Sequence, residues 1–120
     1  MRVGAMTVHI SEGPAIVMGY AYRLSLEAEG PLFPAGLQLV AQIRASVGAD
    51  QLLAQLSTDA GGGLTRVCDT RLDIEISAQD TALCPLGSVV MDFVRRDTEP
   101  DLYLGFTLEI PVVRPVTRGL

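Results

Sequence analysis

LDIEISAQDTALCPLGSVVMDFVRR, residues 72–96, decides the fold. Its first five residues alternate. Leu72, Ile74 and Ile76 fall on one side and Asp73 and Glu75 on the other, the period-2 spacing of a half-buried strand. Ser77 to Ala82 is too short for a full helix but suits one capped turn, in which the Ser77 hydroxyl accepts a hydrogen bond from a backbone N–H near Asp80. Pro85 and Gly87 end the turn. Val89, Met91 and Phe93 resume the alternation, and Arg95-Arg96 close it. A strand, a capped corner and a second strand are how a β-sandwich passes its chain from one sheet to the other.

The same alternation recurs on both sides of this unit. Upstream, residues 15–28 read as one long strand or as two joined by a kink at Gly19, with Tyr20, Tyr22, Leu24, Leu26 and Ala28 on one face. The turn over 30–36 carries two prolines and two glycines, and Leu32 and Phe33 within it are expected to plug the end of the core. Leu37, Leu39, Ala41, Ile43 and Ala45 form the next inward set. Leu52, Ala54 and Leu56 mark a shorter strand. Gly61-Gly62-Gly63 permit positive φ and mark a hairpin-like loop, with no phosphate-binding signature after them. Downstream of a charged turn, Leu102, Leu104, Phe106, Leu108 and Ile110 alternate most regularly, and Pro111 is expected to end inner-strand pairing for want of an N–H. Seven or eight short antiparallel strands separated by Gly, Pro and Asp turns predict an all-β sandwich or barrel. Residues 1–14 are expected to form an N-terminal arm or edge strand ahead of one domain over 15–118.

At 120 residues the chain is one domain on length alone. Hydrophobic residues are 48% and the net charge is −5, so the chain is foldable but lacks the positive footprint that nucleic-acid binding needs. No stretch reaches the length of a membrane-spanning helix, and the N-terminus does not read as a signal peptide. All basic residues are arginine, whose planar fork suits bidentate pairs and interfaces. The aromatics are few and include no Trp, which disfavours a sugar platform of stacked rings.

Catalytic and metal chemistry has little to work with. His9 is the sole histidine and stands in a weakly patterned segment. Cys68 and Cys84 lack zinc spacing and read as free, buried thiols, a bridge between them being an open alternative. Asp97, Glu99 and Asp101 have the i, i+2, i+4 oxygens of a calcium loop but not its glycine or its downstream glutamate, and Pro100 interrupts them. No enzyme, cofactor or metal is predicted. Asp92, between Met91 and Phe93, shares a face with Val90 and Val94, and it is expected either at the sheet surface or paired with an arginine, for example Arg44 or Arg66. Val40, Val90, Val94 and Val113 stand at outward positions, and exposed apolar residues of this kind mark interfaces; these four are the candidate interface.

Five further stretches carry a resemblance: Ala41-Gln42-Ile43-Arg44 ending a strand, Thr81-Ala82-Leu83 at the corner, Met91-Asp92-Phe93, Leu104-Gly105-Phe106-Thr107-Leu108, and Val116-Thr117-Arg118. In this order, over about residues 15–118, the chain resembles the small immunoglobulin-like β-sandwich proteins of phages and prophages, above all the N-terminal domain of baseplate upper proteins. Met91 departs from that pattern, which more often has an aromatic there. The resemblance implies an immunoglobulin-like sandwich acting as a structural or assembly part of a tail or baseplate-like particle. It also implies protein partners or a homo-oligomer, located in a virion or, during assembly, in the bacterial cytoplasm. It brings no catalytic residues. The alternative is a sandwich that binds a carbohydrate or cell-surface ligand.

Overall fold

The computed structural model describes residues 14–120 and, before them, the backbone of two short strands, β1 (Arg2–Val3) and β2 (His9–Ile10). The rest of the arm expected over 1–14, and the His9 side chain, lie outside the described residues. The strands that follow are β3 (Ile16–Val17), β4 (Tyr22–Ala28), β5 (Leu39–Arg44), β6 (Ala54–Ser57), β7 (Leu64–Cys68) and β8 (Arg71–Ile76). A single helical turn, α1 (Ala78–Thr81), leads into β9 (Gly87–Arg95) and β10 (Leu102–Val113).

These strands make two facing sheets, β1-β4-β8-β7 and β2-β10-β9-β5-β6, with β3 also on β10. Strands β4, β8 and β7 take the places of B, E and D in an immunoglobulin sandwich, and β10, β9, β5 and β6 those of G, F, C and C′. The fold is therefore the all-β immunoglobulin-like sandwich expected. The expected all-antiparallel pairing needs one correction. β4 to β10 pair antiparallel, but β1 adds in parallel to β4, and β2 and β3 add in parallel to β10. An edge strand was expected before residue 15 and a kink at Gly19, but a two-residue strand is too short for its periodicity to announce the direction in which it pairs.

Alternation does the packing. Tyr22, Leu24 and Leu26 of β4 and Leu72, Ile74 and Ile76 of β8 point inward. They meet Leu39, Ala41 and Ile43 of β5, Val89, Met91 and Phe93 of β9, and Phe106, Leu108, Ile110 and Val112 of β10. The rings of Phe93 and Phe106 sit 5.4 Å apart in a tilted arrangement at the centre. Phe33 is fully buried and plugs one end. Its loop is held there because its N–H donates to the Asp69 carbonyl and its carbonyl accepts from Arg66 Nε. Ala45, Leu52 and Leu102, expected inward, are exposed, because each lies at or beyond the end of its strand. Pro111 does not end the ladder: it stays in β10 opposite Ser88, at the place where the outer neighbour of β10 changes from β2 to β3.

The kink at Gly19 separates two strands that belong to opposite sheets. Gly19 takes φ +86°, and Tyr20 N–H closes the turn onto the Val17 carbonyl. Thr81, fully buried at the end of α1, fixes this crossover. Its hydroxyl accepts from Gly19 N–H at 3.1 Å and lies 2.8 Å from the Tyr20 carbonyl, to which it donates. The corner thus fastens the passage from β3 to β4 to the last passage between the sheets, from β8 to β9. Ser77 caps the turn as expected, its Oγ accepting from Asp80 N–H at 3.1 Å.

Candidate functional site

The residues of β5, β9 and β10 that do not face the core make up the outer face of the larger sheet, and strand register arranges them in rows. Val40, Val94 and Tyr103 stand side by side in the first row. Gln42, Asp92 and Thr107 form the second, and Arg44, Val90 and Glu109 the third. β6 extends the first row with Ser57 and the second with Gln55. Adjacent side chains in such rows lie about 5 Å apart at Cβ. Val40, Val90 and Val94 are half-buried by their row neighbours, while Tyr103 is 48% exposed. Val113 lies on the same side of β10, beyond the last β9 partner, next to Val17 of β3. The structure therefore brings three of the four candidate interface valines together and leaves Val113 apart at one end.

Asp92 has neither predicted partner. Tyr103 donates its hydroxyl to Asp92 Oδ2 at 2.8 Å. Arg44 turns the other way, with Nη1 on the Asp50 carbonyl and Nη2 on Gln42 Oε1. Arg66 lies in the other sheet, paired with Asp69 and holding the Phe33 loop. What brings Tyr103 to Asp92 is a bulge. Two extra residues of β10 fall between the Tyr103–Val94 and Thr107–Asp92 pairs, with Gly105 among them at φ +87°. The sequence signal was Gly105 itself, a glycine in the middle of an otherwise regular alternation. Burial and the neighbouring Asp92 charge raise the Tyr103 phenol, against a lowering hydrogen bond from Thr107, so it stays a donor across the neutral range. Gln42, Arg44, Val47, Val90, Asp92 and Tyr103 line a shallow depression of about 200 Å3 in this face.

The outer face of the smaller sheet has a different character. Arg23 pairs with Glu75, and Asp73 accepts from both Ser25 and Arg71. The Ser25 hydroxyl, with Arg71, holds the Asp73 carboxyl below its usual range. These groups satisfy one another in a solvated ladder and offer no apolar row. Beside them, where β6 and β7 leave one flank of the sandwich open, lies a cleft of about 870 Å3. It is walled by the loop 58–63 and by Arg23, Arg66, Asp73 and Glu75.

The acidic turn after β9 is engaged in ion pairs. Asp97 binds Arg95 at 2.6 Å and also accepts from Gln38 N–H, and the Arg95 bond above all holds its carboxyl down at about 2. Asp101 pairs with Arg96. Among the described residues no three His, Cys, Asp or Glu side chains are grouped so as to hold a metal. Both cysteines are free, Cys68 exposed on the edge strand β7 and Cys84 buried behind α1. No helix among the described residues is long and apolar enough to cross a membrane. A scan against protein-family models gives no match to the chain, and a search of curated proteins gives none either.

Proposed function

We propose that the protein is a non-enzymatic assembly module, an immunoglobulin-like building block that docks onto a protein through the outer face of its larger sheet. The row of Val40, Val94 and Tyr103 carries this reading. Three contiguous apolar groups in one row, with Val90 farther along the same face, are the composition expected of an interface centre, where aromatics are enriched and charges thin out. The opposite outer face, with its self-satisfied ion pairs, supplies the contrast. The particle in which such a block serves, a phage or prophage tail or baseplate, is supported by the motif resemblance. The strands that carry the Ala41–Arg44 and Met91–Phe93 motifs are the ones that present this face.

Site-specific photo-crosslinking tests the reading. A photoreactive side chain placed at Val40 should yield a covalent protein adduct in cells that make the particle, and one placed at Arg23 on the opposite face should not. Absence of any protein adduct from position 40 would refute it. The alternative, a ligand-binding sandwich, has the cleft beside the glycine loop as its site. Reproducible glycan-array binding, abolished by Arg66→Ala, would favour that alternative.

A further inference from the structure

The outer face contains an unjoined pair of opposite charges. Arg44 on β5 and Asp92 on β9 are neighbours one row apart and line the same depression, yet they do not bond each other. Arg44 is drawn to Asp50 and Gln42, and among the described residues Asp92 is bonded by the Tyr103 hydroxyl, on Oδ2. Gln42, directly across from Asp92, spends its amide on Arg44 and Gln55. No described residue occupies the second oxygen of Asp92, which has Val90 and Val94 before and after it on the same strand face.

A face of this kind is complementary to itself. A two-fold axis lying in the interface plane and passing between Arg44 and Asp92 sets each copy's Arg44 over the partner's Asp92. This is the isologous relation in which residue i meets j and j meets i. Facing sheets pack about 10 Å apart, a gap that an arginine and an aspartate side chain span together. The valines flanking the pairs exclude water as the faces meet, which strengthens the two ion pairs.

We propose that the occupant of this face is a second copy of the chain, joined in a two-fold dimer by two reciprocal Arg44–Asp92 ion pairs framed by Val40, Val90 and Val94. The inference rests on the docking reading above and names its partner. The face has room for it: β6, β5, β9 and β10 hold 4, 6, 9 and 12 residues, which at about 3.3 Å per residue and about 4.8 Å between strands cover about 500 Å2 per copy. The total of about 1,000 Å2 is the least that a specific interface needs. A reversible dimer is expected, with a dissociation constant in the micromolar range.

Sedimentation equilibrium over about 1 μM to 1 mM tests it on the wild type, Arg44→Glu, Asp92→Arg and an equimolar mixture of the two variants. In either variant alone both ion pairs become like-charge contacts, so each should dimerise at least about tenfold more weakly than the wild type. In the mixture the two unchanged residues make one native Arg44–Asp92 pair and the two substituted positions make the other with reversed sign, so a heterodimer should return. Circular dichroism melts establish that each variant folds. If a reversal does not fold, Arg44→Gln and Asp92→Asn should show the same direction of weakening. A wild-type dimer that neither reversal weakens overturns the proposal, as does a mixture that stays monomeric. A wild type that is monomeric throughout also overturns it. In that last case a Val40 crosslink to a protein of different mass would leave the docking reading standing, and the absence of any crosslink would remove both.

Discussion

Thr81→Val tests whether the corner holds the sandwich together or merely turns the chain. The substitution keeps the shape of a fully buried side chain and removes only its hydroxyl. Two backbone groups then lose their partner: the Gly19 N–H, which donates to Oγ1 at 3.1 Å, and the Tyr20 carbonyl, which accepts from it at 2.8 Å. The Ala78 carbonyl, also within reach of the hydroxyl, keeps its bond from Ala82 N–H. Orphaning a buried backbone group costs about 1–3 kcal/mol. Both groups here are part-buried, so the low end applies to each and the total is about 2–3 kcal/mol. For 120 residues the unfolding entropy is about 0.25 kcal/mol/K, so Tm should fall by about 8–12 °C. Thr81→Ser is the paired measurement. It keeps the hydroxyl, loses one buried methyl, and should cost about 1 kcal/mol. Urea unfolding followed by circular dichroism gives both values, with m unchanged if only the native state is affected. If Thr81→Val proves no more costly than Thr81→Ser, the hydroxyl does not fasten the crossover.

The glycine loop, the phenols and the thiols give further tests. Gly63→Ala should destabilise by about 2–4 kcal/mol, because a Cβ there would lie 2.5 Å from the Glu75 carbonyl oxygen on a backbone at φ +94°. Gly61→Ala, at φ +76° in open space, should cost only about 1 kcal/mol; equal losses in urea unfolding would show that the contact is not what constrains Gly63. Burial pushes the Tyr22 phenol up to about 12. Its folded value thus exceeds the unfolded one, near 10, so its stabilising contribution is complete below about pH 10 and is lost as pH rises through about 12. Ultraviolet titration should show a last ionisation near 12 that Tyr22→Phe removes, and a titration finished by about pH 10.5 would contradict the burial. Hydrogen bonds from Thr70 lower the exposed Cys68 thiol, whereas burial, aided by Asp80, raises Cys84. Ellman's reagent should therefore label one cysteine rapidly in the native protein, and Cys68→Ser should abolish that phase.

The legible part of this fold is the part governed by side-chain alternation. Leu72, Ile74 and Ile76, then Val89, Met91 and Phe93, announce two half-buried strands, and Ser77 announces the cap between them, because each effect is local and repeats. The Phe33 plug was legible for a related reason: a large apolar residue in a proline-glycine turn has nowhere favourable to go but inward. Pairing partners were not legible. β3 is two residues long, and its attachment to β10 depends on the whole topology rather than on any pattern near Ile16. Asp92 shows the same division within the candidate site. Its outward position followed from parity, but its bond to Tyr103 depends on a bulge that shifts β10 by two residues; Gly105 marks the place of that bulge and does not fix its size or the partner it delivers. The valine face lies between these cases. Parity put Val40, Val90 and Val94 on one side, while strand register placed Val40 beside Val94 and left Val113 at the far end.

The parallel seat of β3 on β10 bears on how the protein comes into being. Ile16 lies beside Val112, roughly 100 positions later in the chain. At synthesis speeds of about 5–20 residues per second, β3 waits about 5–20 s for its partner to be made. During that wait the inner row of β10 does not exist, so Phe93 and the rest of the growing core face an unfinished wall. Thr81 is made about 30 residues before the β10 seat, and its tie can hold the Gly19 crossover at the correct end while β10 is synthesised. Pairing of β10 with β9, β2 and β3 then completes the larger sheet. A nascent chain arrested before Leu102 should remain open to proteases that the finished molecule resists.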